Sequence, residues 1–147
     1  MFMGKYQNSI DAKCRMIIPA KFRDALGYRC VVTIGFDKCL YIYSMQEWEK
    51  NHEELSRLPI TEEAGRQVIR DVYSNATDCE IDKQGRVVIS QDLRDYANIE
   101  KDLVTVGASN KIEVWSKEEW ENQQGGGAPR PSPSDTAKQV TQYIYKG

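Results

Sequence analysis

Residues 10–24, Ile-Asp-Ala-Lys-Cys-Arg-Met-Ile-Ile-Pro-Ala-Lys-Phe-Arg-Asp, return seventy-one positions later as residues 81–95, Ile-Asp-Lys-Gln-Gly-Arg-Val-Val-Ile-Ser-Gln-Asp-Leu-Arg-Asp. Asp11 falls on Asp82, Arg15 on Arg86, Ile18 on Ile89, Phe22 on Leu93 and Arg23 on Arg94. Each copy reads as an Asp-x-x-x-Arg turn, a short apolar strand, and a helix start that carries an apolar residue followed by arginine. With one inserted residue the match extends to Val32-Thr-Ile-Gly35 against Val104-Thr-Val-Gly107 and to Leu40–Ser44 against Ile112–Ser116. A unit of about seventy residues exceeds the roughly 20–50 of solenoid and propeller repeats, and two copies are too few for such an array. The chain is a duplicated module of 147 residues, and a half that small buries too little surface to stand comfortably alone. Two half-domains sharing one core are expected.

Punctuation along the chain sets the elements. Tyr6 to Ile10 and Met16 to Ile18 read as strands flanking the Asp11 turn. Ala20 to Leu26 reads as a helix opened by Pro19 and closed by Gly27. Val31 to Ile34 and Cys39 to Tyr43 read as a hairpin about Gly35-Phe-Asp-Lys38. Ser44 with Glu47, and Ser116 with Glu119, are Ser-x-x-Glu capping boxes, in which hydroxyl and carboxylate each satisfy an unpaired amide at a helix start. Trp48 and Trp120 follow one residue later and are expected to seat those helices on the strands. Pro59 and Thr61 open a connecting helix to about Tyr73, with Val68, Ile69 and Val72 along one face. Cys79 to Ile81, Val87 to Ile89, Leu103 to Val106 and Ile112 to Trp115 repeat the strands. After Gln124 the chain turns to Gly-Gly-Gly-Ala-Pro-Arg-Pro-Ser-Pro-Ser134 and is expected to be disordered. Near the end, Val140, Tyr143 and Ile144 have the spacing of one helical turn or a short strand, too little for a core.

Chemistry is sparse. His52 is the sole histidine and lies in a Glu-rich stretch outside the repeat. No phosphate loop, dinucleotide-binding glycine pattern or nucleophile elbow is present. Cys14, Cys30, Cys39 and Cys79 form no Cys-x-x-Cys pair, so neither zinc nor any other cofactor is expected. No apolar run approaches the ~18 residues of a membrane span, and the start of the chain lacks the pattern of a secretory signal; a cytoplasmic, non-enzymatic protein is expected. Asp11 and Asp82 are each followed within four residues by Lys or Arg, which suits an ion-paired turn better than paired acid/base carboxylates.

The net charge of −2 argues on its face against a nucleic-acid partner, but its distribution is uneven. Residues 1–30 carry Lys5, Lys13, Arg15, Lys21, Arg23 and Arg29 against Asp11 and Asp24, whereas residues 44–63 carry six glutamates against Lys50 and Arg57. An acidic total thus conceals a basic face, whose field acts locally because salt screens beyond about 8 Å. Lys13, Arg15, Lys83 and Arg86 would project from equivalent turns of the two halves, and guanidinium forks suit phosphate or the O6/N7 edge of guanine. The same residues equally suit turn-stabilising ion pairs, worth at most ~1 kcal/mol if exposed. Arg23 and Arg94 divide between phosphate contact and a solvated helix face.

The Met1-Phe-Met-Gly opening, both Asp-x-x-x-Arg motifs, the Ile18-Pro-Ala-Lys-Phe-Arg23 segment and the doubled Ser-x-x-Glu-Trp signature together resemble the MraZ family of bacterial transcriptional regulators, which groups with AbrB-like DNA-binding proteins. The resemblance covers residues 1 to about 122. It implies an α+β, strand-dominated fold in which duplicated AbrB-like modules form a double-split β-barrel with flanking helices. Residues 1–58 would be the first repeat, 59–76 the connecting helix, 77–124 the second repeat and 125–147 the tail. The resemblance further implies a homo-oligomeric ring, nucleoid-associated, that binds double-stranded DNA over promoter direct repeats and represses the division and cell-wall gene cluster. No membrane or small-molecule substrate is implied. The matching contact positions are Lys13, Arg15, Lys83 and Arg86, with Arg23 and Arg94 beside them. Cys14 departs from the family glycine that Gly85 retains; a cysteine held at positive φ costs ~1 kcal/mol or more and could displace the first loop. The competing reading is an oligomeric structural or protein-interaction module whose basic loops meet an acidic protein.

Overall fold

The computed structural model describes residues 1–140. The first half comprises β1 (Phe2–Ser9), β2 (Arg15–Ile17), α1 (Ala20–Leu26), β3 (Arg29–Ile34), β4 (Leu40–Ser44) and α2 (Met45–Leu55). A connecting helix α3 (Glu63–Ser74) leads to β5 (Thr77–Glu80), β6 (Arg86–Val88), α4 (Gln91–Tyr96), β7 (Asp102–Ser109), β8 (Ile112–Ser116) and α5 (Lys117–Gln123). A short helix α6 (Pro133–Lys138) follows. The strand-dominated α+β class is as expected.

The two halves exchange strands. A six-stranded antiparallel sheet runs in the order β1-β7-β8-β4-β3-β5, and β2 pairs with β6 in a separate two-stranded ribbon. The first strand of each half therefore pairs with the third strand of the other, β1 on β7 and β5 on β3. The fourth strands pair with each other. This crossing gives each half backbone partners it cannot supply itself, which answers the shortage of core in a half of this size. Among the described residues the ladders do not close into a barrel; the ribbon and the sheet share a core instead.

That core lies between ribbon and sheet. Strand alternation points Met16 and Val87 of the ribbon inward to meet Val32, Ile42, Leu103, Ile112 and Val114, joined by Ile18, Ile89, Phe22 and Leu93 from the helix starts. The opposite face of the sheet carries Tyr41, Tyr43, Val104 and Trp115. There Trp48 of α2 packs on Tyr43 with centroids 5.6 Å apart, and Trp120 of α5 on Trp115 at 5.6 Å. Both tryptophans anchor their helices to the strands as expected. The connecting helix is fastened by the buried Thr33 hydroxyl, which donates to the Val72 carbonyl at 2.7 Å.

Several local expectations need adjustment. The Ser44 and Ser116 hydroxyls accept the amides of Glu47 and Glu119 at 3.1 and 3.0 Å. The carboxylate halves of both boxes go elsewhere: Glu47 takes Lys50, and Glu119 takes Asn98. Strand β1 begins four residues earlier than its composition suggests, because β7 pairs along its whole length. The tail expected to be structureless contains α6, whose start is capped by the Ser132 hydroxyl and which buries no side chain. Tyr143 and Ile144 lie outside the described residues.

The repeat also holds a register shift that sequence matching hides. Val32 faces Ile42 in one hairpin, and Thr105 faces Val114 in the other. Since Ile42 and Val114 are equivalent, Val32 corresponds to Thr105 and not to Val104. A one-residue slip sends side chains to the opposite face. Thr33 accordingly points out toward α3, whereas Thr105 points inward near Asn8, its hydroxyl 3.3 Å from Asn8 Oδ1.

Among the described residues no helix is long and apolar enough to cross a membrane, and no group of three His, Cys, Asp or Glu side chains is placed to hold a metal ion. All four cysteines are free.

Candidate nucleic-acid interface

Each Asp-x-x-x-Arg segment folds into the same closed loop. Asp11 Oδ1 accepts the amides of Lys13 and Arg15, both at 2.9 Å, and Oδ2 accepts Arg15 Nε at 2.8 Å. In the second half Asp82 Oδ1 accepts Gln84 and Arg86 amides at 2.9 Å, and Oδ2 accepts Arg86 Nε at 2.8 Å. Backbone bonds close both loops: Asp11 N–H to Arg15 O at 2.9 Å, and Asp82 N–H to Arg86 O at 3.0 Å. An aspartate suits this position because its short carboxylate bonds backbone amides two residues on. The Arg15 amide above all holds the Asp11 carboxyl below its ordinary value of 3.8, and the Arg86 amide does the same for Asp82.

The fourth loop residue sits in the left-handed region in both halves, Cys14 at φ 61° and Gly85 at φ 79°. Cysteine does not displace the first loop, since its hydrogen bonds match those of the second to within 0.1 Å. What differs is the space above the loop. A Cβ placed on Gly85 would stand 2.3 Å from Arg23 Nε and 2.4 Å from Arg23 Cζ, so the first half's guanidinium lies directly on the second half's loop. Around the first loop the Cys14 side chain claims that space, and the equivalent Arg94 reaches Gln91 Oε1 at 3.5 Å.

The ribbon carries both loops. Its pairing sets Arg15 opposite Val88, Met16 opposite Val87, and Ile17 opposite Arg86. Further bonds from Ile18 N–H to Gly85 O and from Ile89 N–H to Cys14 O, at 2.8 and 2.9 Å, tie each loop to the other half's strand. The loops thus sit at opposite ends of one short ribbon. From strand geometry Arg15 and Arg86 are offset by about 7 Å along it and about 5 Å across it.

The sequence-predicted residues fall into two groups. Lys13 and Lys83 are exposed at the loop tips. Arg15 and Arg86 each retain 25% side-chain exposure, and Nε alone is engaged; among the described residues their terminal amino groups have no hydrogen-bond partner. Both guanidiniums are therefore ion-paired and reachable at once, so the turn-stabilising and ligand-contacting readings do not compete. Arg23 and Arg94 are half-buried and donate from Nε to the Ile18 and Ile89 carbonyls, at 2.9 and 3.1 Å, across the start of their helices. Arg29 does not join the face: it pairs with Asp78 at 2.8 Å and Glu80 at 3.2 Å on the β3–β5 ladder. Lys5 lies 5.8 Å from the Trp120 ring. The amino-terminal run of basic residues is thus divided among separate places.

Sequence reasoning has no means to find the Arg23–Gly85 contact, which joins residues sixty-two positions apart. The only trace is the difference between Cys14 and Gly85.

A family model described as "MraZ protein, putative antitoxin-like" matches residues 1–71 and again residues 72–140. A protein of Desulforamulus reducens named "Transcriptional regulator MraZ" is 48% identical over 121 residues, 82% of this chain and 85% of that protein. The protein of the same name from Thermoanaerobacter pseudethanolicus is 50% identical over 121 residues, with the same shares covered. That from Natranaerobius thermophilus is 47% identical over 124 residues, 84% of this chain and 87% of that protein.

Proposed function

Since the chain belongs to the MraZ family, we propose that it is a DNA-binding transcriptional regulator which grips duplex DNA with the two loops borne by the β2–β6 ribbon. The observation that carries this reading is the pair of guanidiniums, Arg15 and Arg86, each fixed through Nε to its aspartate and open at its terminal amino groups. A guanidinium held that way loses little side-chain freedom on binding, while its remaining donors suit a phosphate or the edge of guanine. Lys13 and Lys83 flank them as mobile point charges. Arg23 buttresses the second half's loop from behind, and both Arg23 and Arg94 offer their remaining donors to phosphate.

The finer reading follows the family resemblance. The ribbon and sheet correspond to a double-split barrel. Several chains assemble into a ring in the cytoplasm, associated with the nucleoid, and engage short direct repeats at the promoter of the division and cell-wall gene cluster, where occupancy excludes polymerase and represses. One ribbon makes few contacts. Copies displayed at the spacing of the repeats multiply affinity through effective concentration.

The test begins with selection from a random duplex pool by the full chain, followed by gel shifts on the enriched duplex. A preferred sequence is expected, with a loss of ~1–3 kcal/mol per wrong base pair. The Arg15→Ala, Arg86→Ala double variant, confirmed folded by circular dichroism, should lose most of that binding. Failure to enrich any sequence, or undiminished binding by the folded double variant, would sink the proposal in favour of a protein-interaction module.

A further inference from the structure

The outward face of the ribbon contains more than its two arginines. Ile17 and Val88 are 48% and 58% exposed, while Met16 and Val87, their neighbours in the same strands, are 0% and 1% exposed. Neither Ile17 nor Val88 belongs to a hydrophobic cluster of the fold. A single exposed aliphatic side chain means little, but these two occupy equivalent places in the duplicated unit, and the pairing puts each directly across from a guanidinium. Ile17 faces Arg86 and Val88 faces Arg15. The four outward side chains form a patch of about 5 by 7 Å, with guanidiniums on one diagonal and aliphatics on the other.

The charge around this patch selects the occupant. Lys13, Arg15, Lys83 and Arg86 surround the two aliphatics, so an apolar protein surface would leave both lysines without a counter-charge and the open guanidinium donors without acceptors. Duplex DNA offers both chemistries in one place. Its major groove admits a two-stranded β-ribbon, and there guanine shows O6 and N7 while thymine shows its C5-methyl. The minor groove shows no methyl. The spacing also fits, because about 7 Å along the ribbon is about two base steps at 3.4 Å.

We propose that Ile17 and Val88 are specificity-determining residues that contact thymine methyl groups in the major groove, each next to the base or phosphate held by the guanidinium across from it. The proposal rests on the DNA-binding reading above and adds the chemical group read by the ribbon's apolar positions. It makes the ribbon face, and not the loop tips alone, the reading surface.

Replacing thymine by uracil deletes only the methyl, which gives a clean test. The duplex enriched from a random pool by the full chain is resynthesised with deoxyuridine at one thymine position at a time, and affinity is read by fluorescence anisotropy. At least one position per bound ribbon is expected to weaken the parent about fourfold, the worth of one buried methyl-sized group. Ile17→Ser or Val88→Ser, which strip every methyl from an exposed strand position, should each lose sensitivity to uracil at its own position and keep it at the other. Parent binding indifferent to every uracil, or an enriched site with no thymine at the protected base pairs, overturns the inference. In either case continued dependence on Arg15 and Arg86 on the same duplex leaves the DNA-binding reading standing. Loss of that dependence would remove the reading itself.

Discussion

The two loops should respond oppositely to exchange of their left-handed residue. Gly85→Ala puts a Cβ at φ 79°, where an L-residue costs roughly 1–2 kcal/mol. The same Cβ would lie 2.3 Å from Arg23 Nε, so the guanidinium must swing away, which strains or breaks the bond it makes to the Ile18 carbonyl at 2.9 Å. Losing a hydrogen bond from a charged donor costs about 1.5–3 kcal/mol. The sum is about 2.5–5 kcal/mol if that bond is lost outright. Cys14→Gly removes the backbone penalty of about 1–2 kcal/mol but adds about 0.5–1 of chain entropy, leaving a variant between neutral and about 1.5 kcal/mol more stable. Urea unfolding at fixed protein concentration separates the cases. With a slope of ~2 kcal/mol/M, Gly85→Ala should lower the midpoint by about 1 M or more, and Cys14→Gly should leave or slightly raise it. Arg23→Ala combined with Gly85→Ala should cost less than the two changes added, because they share one contact. A Gly85→Ala variant as stable as the parent, or a Cys14→Gly variant as damaged as Gly85→Ala, would refute the reasoning.

Two further outcomes are expected. Asp11 and Asp82 titrate below 3.8 in the folded protein, so their contribution is complete above 3.8 and disappears as pH falls through the lowered folded values; the urea midpoint of Asp11→Asn, Asp82→Asn should lie below the parent's near neutrality and converge on it in acid, and a constant gap would contradict the loop assignment. Thr33→Val strips the buried hydroxyl that bonds Val72 O at 2.7 Å and should cost about 1–3 kcal/mol with loss of amide-exchange protection at the end of α3; unchanged exchange there would show that α3 is held by packing alone.

Legibility from sequence followed the distance over which each interaction acts. The Asp-x-x-x-Arg loops were readable because every bond that closes them lies within four residues. So were the serine hydroxyl caps and the tryptophans just behind them. The carboxylate halves of the capping boxes were not, since a neighbouring lysine and a distant asparagine compete for the glutamates. The basic run of residues 1–30 also misled. Linear proximity says nothing about face, and Arg29 is drawn off by two carboxylates on β5.

The order of residues alone establishes two copies of one module, a charged loop ahead of a short strand in each, and helices that start at Ser44 and Ser116. Local hydrogen bonding and side-chain periodicity suffice for those. The three-dimensional fold was needed to show that the halves trade strands, that the two loops end one ribbon, that Arg23 serves the opposite half's loop, and that Val32 corresponds to Thr105. Each of these is a pairing between distant segments, chosen by how apolar faces can be buried together. A single-residue shift, nearly invisible in an alignment of similar β-branched residues, then moves a side chain from one buried face of the sheet to the other.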